Sequence, residues 1–150
     1  MHKVRGVSLI ELMVVVLLIA ASTALVAAAI GSGLPGQQLR NASRELAAQL
    51  RFTRAQAIAT GKPQLFSVDA QSREWQAPDQ HRGTLPNAIK ITATGARIEQ
   101  TRDSVAAIRF FPEGASTGGR IVLSRDSAAW QIDVDWLTGQ VKLARTEASR

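Results

Sequence analysis

The sequence predicts an α+β fold, a long N-terminal α-helix packed on an antiparallel β-sheet or sandwich head. Three observations predict it. Residues 7–30 are almost wholly apolar, residues 37–60 are amphipathic at helical spacing, and residues 64–145 divide into short strand-like segments. No helix-length stretch separates those segments, which favours antiparallel pairing over βαβ crossovers.

The N-terminus begins with a short basic stretch, Met1 to Gly6, carrying Lys3 and Arg5. An apolar run follows from Val7 to Ile30, interrupted mildly by Ser22 and Thr23. From Leu12 to Ile30 it approaches the roughly 20 residues of a membrane span. The positive-inside rule puts Lys3 and Arg5 on the cytoplasmic side and everything after Ile30 outside. Glu11 is the anomaly. A carboxylate this near the hydrocarbon costs about 2–3 kcal/mol unless protonated or paired, and such a group is a functional candidate by default.

Three readings fit this stretch: an uncleaved anchor, a conventional signal peptide cut near Val26-Ala27-Ala28-Ala29, or a leader cut before the apolar run. In the third, cleavage after Gly6 gives Val7 a new α-amino group four residues before Glu11. The same amine on a neighbouring copy of the helix would neutralise the carboxylate and set the stagger between packed helices.

Gly31, Gly33, Pro35 and Gly36 punctuate the next six residues, and such a cluster predicts a break, kink or local melt at 31–36. Beyond it Leu39, Ala42, Leu46, Leu50, Ala57 and Ile58 form an apolar stripe, while Arg40, Arg44, Glu45, Gln49, Arg51 and Arg54 are polar. Gly61-Lys62-Pro63 is a helix stop. The helix over 7–60 is therefore expected in two pieces, one facing lipid or other subunits and one packing on the head.

Strands are predicted at Gln64–Ala70, Arg73–Ala77, Ala88–Thr94, Ala107–Phe111, Arg120–Arg125, Ala129–Trp136 and Gln140–Arg145. The clearest is Ala129–Trp136, where Trp130, Ile132, Val134 and Trp136 alternate with Gln131, Asp133 and Asp135. Thr138-Gly139 reads as a two-residue turn. That turn would set Trp136 opposite Val141, Asp135 opposite Lys142 and Val134 opposite Leu143.

The chain has no cysteine and a formal net charge of +6. Disulfides and thiolate metal sites are excluded. Lys3 and Arg5 supply two of the positive charges, so residues 7–150 carry +4. That excess attracts anionic surfaces only weakly. No catalytic constellation stands out, and no HExxH, GxSxG, Walker or GxGxxG pattern is present. His2 lies in the basic leader, and His81 in the polar loop 78–83 reads as solvated surface. Asp126, Asp133 and Asp135 lack the loop of carbonyl oxygens a calcium site needs, so no metal or cofactor is expected. The three tryptophans read as core or interface, Trp75 being on a short strand. The loop of Gly114, Ser116, Thr117, Gly118 and Gly119 is a candidate partner-docking loop, because binding residues often sit on loops held by a rigid scaffold.

Gly6-Val7-Ser8-Leu9-Ile10-Glu11-Leu12 closely resembles the type IV prepilin signature, with Gly before the cut and Glu at the fifth mature position. The resemblance extends further. Arg51 to Gly61 resembles the helix end of H-type minor pseudopilins of type II secretion systems (GspH) and of the related FimT and FimU minor pilins. Phe110-Phe111-Pro112-Glu113-Gly114-Ala115-Ser116-Thr117-Gly118-Gly119-Arg120-Ile121 resembles their C-terminal motif, and Trp136-Leu137-Thr138-Gly139-Gln140-Val141 their last hairpin.

The resemblance implies a non-enzymatic, inner-membrane, single-pass subunit with a cytoplasmic N-terminus and a periplasmic head. It implies a leader at 1–6 removed after Gly6 by prepilin peptidase, Val7 as the N-methylated first residue, and Glu11 as the filament-assembly glutamate. Many prepilins have Phe where this chain has Val7. A filament-core helix at 7–30, the break at 31–36 and a pilin-like head at 37–150 follow, the head holding helix 37–60 and β-rich residues 64–145. The implied partners are other minor and major pseudopilins and the inner-membrane secretion platform. The implied role is near the tip of a pseudopilus that exports folded proteins across the outer membrane.

Two alternatives stay open. One is a minor pilin of a type IV pilus or competence system, and the other a periplasmic binding module freed by signal peptidase. FimT-type pilins bind DNA through a basic C-terminal region. Here Lys142, Arg145 and Arg150 are diluted by Glu147 and have no interleaved aromatics, so nucleic acid is not expected as a partner.

Overall fold

The structure, a computed structural model, describes residues 8–95 and 104–148, with only the backbone path described for 27–35. By its internal contacts the chain divides into two compact units, Met1–Pro35 and Gly36–Arg150. Gly6, Val7 and Arg150 lie outside the described residues.

Helix α1 spans Leu9–Thr60, 52 residues. The predicted break at 31–36 is not present as a break, because the backbone through Gly31, Gly33, Pro35 and Gly36 is helical. A single proline removes one hydrogen bond and crowds one carbonyl, and a glycine costs only about 1 kcal/mol against alanine. Such penalties do not end a helix that is favoured on both sides. In the first unit the window Leu9–Val26 has a mean hydropathy of 2.6 and none of it is buried. The Ser22 and Thr23 hydroxyls donate to the Leu18 and Ile19 carbonyls at 2.8 and 2.7 Å. Their polarity is thus satisfied within the helix, as an apolar surrounding requires.

In the second unit, two four-stranded antiparallel sheets meet the helix. The strands are β1 Gln64–Asp69, β2 Glu74–Gln76, β3 Arg82–Thr84, β4 Lys90–Gly95, β5 Val105–Phe110, β6 Gly119–Arg125, β7 Ala128–Val134 and β8 Val141–Glu147. One sheet has the order β3-β2-β1-β5 and the other β4-β6-β7-β8. Leu39, Ala42, Leu46, Ala47, Leu50 and Ala57 of α1 are buried with Phe66, Ile108, Phe110, Ile121, Leu123 and Ile132 of the sheets. Ser43 and Thr53 share that helix face, fully buried. Each hydroxyl donates to the carbonyl four residues back, at 2.8 Å, so neither is an orphaned polar group.

Three details correct the sequence expectation. Ile58, placed in the stripe, is 48% exposed. Ala57 already continues the buried row, and the next residue is turned a further ~100° around the helix. Strand β3 lies in the stretch read as a polar loop. It is three residues long and non-alternating, so it carries no periodic signal. Pairing fixes it instead: Trp75 faces Gly83, and a Cβ on Gly83 would meet the indole at 2.6–2.9 Å. Trp75 is consequently core, 4% exposed, and stacked on Phe66.

The third correction is the last hairpin. Val134 pairs with Val141, Asp133 with Lys142 and Ile132 with Leu143, two residues away from the predicted register. Asp135 causes the shift. Its Oδ1 accepts hydrogen bonds from the Leu137 and Thr138 backbone N–H groups and the Thr138 hydroxyl, at 3.0, 2.8 and 2.9 Å. The carboxylate draws these backbone donors into a turn. Asp135 and Trp136 therefore leave the strand.

Candidate functional site

Two surfaces of the molecule are built for contact. The first is the bare apolar length of α1. Glu11 lies in its first turn, where the partial positive charge of the helix N-terminus favours a carboxylate. The flanking Leu9, Ile10, Leu12 and Met13 are 60–80% exposed, so Glu11 is the lone ionisable side chain within the apolar span 9–26.

The second surface forms where α1 ends against the head. Besides its buried face, the helix has two flanks that each hold a hairpin turn. Gln49, Phe52 and Gln56 take the β2–β3 turn. Phe52 stacks on His81 with ring centroids 4.6 Å apart and planes 12° apart. His81 Nδ1 lies 3.3 Å from Gln49 Oε1, and Gln56 Nε2 donates to Asp79. His81 is exposed, as expected of a surface histidine, and rests on the helix through these contacts.

On the opposite flank, Arg51 Nη2 donates to the Val141 carbonyl and Arg54 Nε to the Gly114 carbonyl, both at 3.2 Å. These two arginines join α1 to the β7–β8 turn and to the 111–118 loop. The turn and the loop also touch each other. Gly139, at φ +62°, leaves space where a Cβ would stand 2.2 Å from the Gly114 carbonyl oxygen.

The candidate docking loop proves to be a clasp. Gly114, Ser116 and Gly118 are buried. Ser116 N–H donates to the Trp136 carbonyl and its hydroxyl to the Asp135 carbonyl, both at 2.9 Å, and the Gly118 N–H donates to Ser116 Oγ at 3.0 Å. Thr117 N–H donates to the Arg109 carbonyl, and Arg109 N–H returns a bond to Thr117 Oγ1. Gly119 opens β6. Gly114 and Gly118 both have positive φ, +93° and +71°, which explains glycine there. The loop's small residues serve close approach of the backbone. Besides Glu113, the solvent-facing side chains here are the loop's neighbours: Trp136 and Leu137 are 67% and 63% exposed.

The charged groups nearby are structural. Arg120 Nε pairs with Asp133 Oδ1 at 2.6 Å. Burial raises the Asp133 pKa, but hydrogen bonds from Gln131 and Arg120 and the charges of Arg120 and Lys142 outweigh it, leaving it below the ordinary value. Asp135 is also held below it, chiefly by the Thr138 backbone N–H and hydroxyl, and Asp69 by the Gln71 N–H. Among the described residues, no three His, Cys, Asp or Glu side chains stand close enough to hold a metal ion. The sequence marks Arg51 and Arg54 only as polar helix positions, and Trp136, Leu137 and Gly139 only as residues of the last hairpin, with no contact surface assigned to them. The Asp135-Trp136-Leu137-Thr138-Gly139 run, an aspartate three residues before a threonine and four before a glycine, is the signal that would have found the turn.

The comparisons with known proteins concern the family and the fold. The family model for type II transport protein GspH matches residues 42–139. Type II secretion system protein H of Xanthomonas campestris pv. campestris is 51% identical over 141 residues, 94% of this chain and 83% of the relative. Among solved structures, the minor pseudopilin EpsH from the type 2 secretion system of Vibrio cholerae aligns with a TM-score of 0.58 at 12% identity, covering 72% of this chain and 97% of that one. The type IV minor pilin FimU of Pseudomonas aeruginosa aligns with a TM-score of 0.56 at 13% identity, covering 72% and 89%. At those identities the structural likenesses concern the fold.

Proposed function

The chain belongs to the type II transport protein GspH family, and from that premise we propose how this minor pseudopilin of a type II secretion system works. The observation that carries the reading is α1 itself. One helix of 52 residues is bare and apolar over Leu9–Val26, then buries a stripe in a two-sheet head from Leu39 to Ala57. Such a helix suits a single-pass anchor that can also pack among the helices of other pseudopilins.

The role is mechanical rather than chemical. Prepilin peptidase cuts after Gly6, and Val7 becomes the N-methylated first residue. The N-terminus lies on the cytoplasmic side and the head in the periplasm. In the filament, Glu11 pairs with the N-terminal amine of a neighbouring subunit, relieving the cost of about 2–3 kcal/mol for a carboxylate in an apolar surrounding. The head then contacts other minor subunits near the tip, above the inner-membrane platform, as the filament helps to move folded proteins through the outer membrane.

The same fold in FimU favours one second reading, a minor pilin of a type IV pilus or competence system. Gene deletion separates the two. The first predicts loss of exoprotein secretion with twitching and transformation intact, and the reverse phenotype refutes it. N-terminal sequencing of the mature protein tests the cut: a start at Val7 supports it, and a start near Gly31 shows release by signal peptidase. Glu11→Ala is expected to leave processing and head folding intact while lowering incorporation into the filament, and unchanged secretion by that variant would count against the pairing.

A further inference from the structure

The described part of the head exposes four large apolar side chains, Ile58, Leu65, Trp136 and Leu137. Three of them flank the same clasp. Ile58 Cδ1 lies 3.8 Å from where a Cβ on Gly114 would stand, and Trp136 Cβ 3.1 Å from the equivalent position on Gly118. Leu137 follows Trp136 in the turn that the Asp135 carboxylate holds. Trp136 and Leu137 are two-thirds exposed although strand β7 beside them is half-buried or buried. Exposed tryptophan on a rigid turn is the composition of an interface anchor.

The rim of this patch is basic. Arg51 and Arg54 lie on the same helix flank as Ile58, and each is bonded to a backbone carbonyl rather than to a carboxylate. Neither forms an ion pair among the described residues. The loop's own acid, Glu113, is exposed, and the Asp135 carboxylate is consumed inside the turn. A second copy would bring arginines against arginines, in a chain whose residues 7–150 carry +4, and like charges across an interface are disfavoured.

We propose that the Ile58–Trp136–Leu137 patch is a heterotypic docking surface for the head of another pseudopilin, one presenting an apolar pocket with an acidic rim. The proposal rests on the pseudopilin reading above and names the partner chemistry it left open. The arginine bonds to the Val141 and Gly114 carbonyls fix the turn to α1, so the patch keeps a set orientation relative to the helix end. Pairing of the basic rim with acids would steer encounter and make it salt-dependent.

The test uses the full chain in its own membrane, with the photo-crosslinking residue p-benzoylphenylalanine built in at position 137. The control places it at position 127, in the exposed β6–β7 turn at the other end of β7. The expected result is a product at 137 joining this chain to a different pseudopilin of the same system, absent at 127. Trp136→Ala should lower its yield about tenfold, as for an interface hot spot, and extraction at high salt should lower it too. Trp136 is exposed, so the variant should keep the wild-type melting temperature. A product containing only this chain, or no product above the control, overturns the proposal. If secretion depends on the chain yet position 137 gives no product, docking falls and the pseudopilin function stands. If deletion leaves secretion unchanged, both fall.

Discussion

Gly139→Ala tests how the β7–β8 turn is held, and Gly61→Ala supplies its control. Both glycines have left-handed backbones, φ +62° and +63°. Forcing alanine into that region costs about 1–2 kcal/mol. Around Gly61 nothing lies within 4 Å of the added Cβ, so the backbone term is the whole effect. At Gly139 the Cβ would stand 2.2 Å from the Gly114 carbonyl oxygen, where real contacts do not fall under 3.0 Å. The two backbones must separate by that 0.8 Å difference. The carbonyl that moves is the acceptor for Arg54 Nε, a charge-assisted bond whose loss costs about 1.5–3 kcal/mol.

Gly139→Ala should therefore destabilise by about 2.5–5 kcal/mol, against about 1–2 kcal/mol for Gly61→Ala. For a unit of this size each kcal/mol lowers Tm by about 4 °C. The expected shifts are then roughly 10–20 °C and 4–8 °C. Thermal unfolding of the detergent-solubilised full chain, followed by near-UV circular dichroism, measures both. Equal shifts for the two variants would refute the clasp as a source of stability.

Leu50→Ala, at a position with no exposed surface, should cost about 2–5 kcal/mol through lost transfer energy and the cavity left behind, read as a fall in denaturant midpoint with unchanged m. Leu137→Ala should be near neutral in the same measurement, since that side chain is 63% exposed; a large loss there would mean the turn is packed in solution. Asp135 gives a pH dependence. Its folded pKa is lowered, so its contribution is complete above the unfolded value of about 3.9 and is lost as pH falls through the folded value. Asp135→Asn should flatten the acid limb of Tm as pH falls below the unfolded carboxylate value of about 3.9, while Asp69 and Asp133, shifted the same way, leave part of the slope. An unchanged limb would show that the Asp135 carboxylate does not hold the turn.

Most of the fold was legible because its signals are local. The apolar run ending near Ile30 and the Leu39–Leu46–Leu50–Ala57 row are written in residue type and spacing. So are the strands expected at Gln64–Ala70, Arg120–Arg125 and Gln140–Arg145, which fall within two residues of the observed Gln64–Asp69, Gly119–Arg125 and Val141–Glu147. The break at 31–36 misled because glycine and proline report local preference, whereas a helix flanked by long favourable segments absorbs their cost. The last hairpin misled because Trp136 continues the alternation perfectly. Only the Asp135 carboxylate, capturing three donors, removes it from the strand.

The sequence by itself determined that this protein has an apolar helix too long to hide in a small head, a single carboxylate near its start, and a β-rich remainder without metal-binding cysteines. Periodicity and composition are properties of neighbouring residues, and they suffice for that. The tertiary structure alone decided what the glycine-rich loop and the arginines do. Gly114 meets Gly139 across 25 residues of chain, and Arg54 reaches Gly114 across 60. No local pattern encodes such meetings, because they arise only when two sheets close on one helix face and leave its flanks to hold the turns.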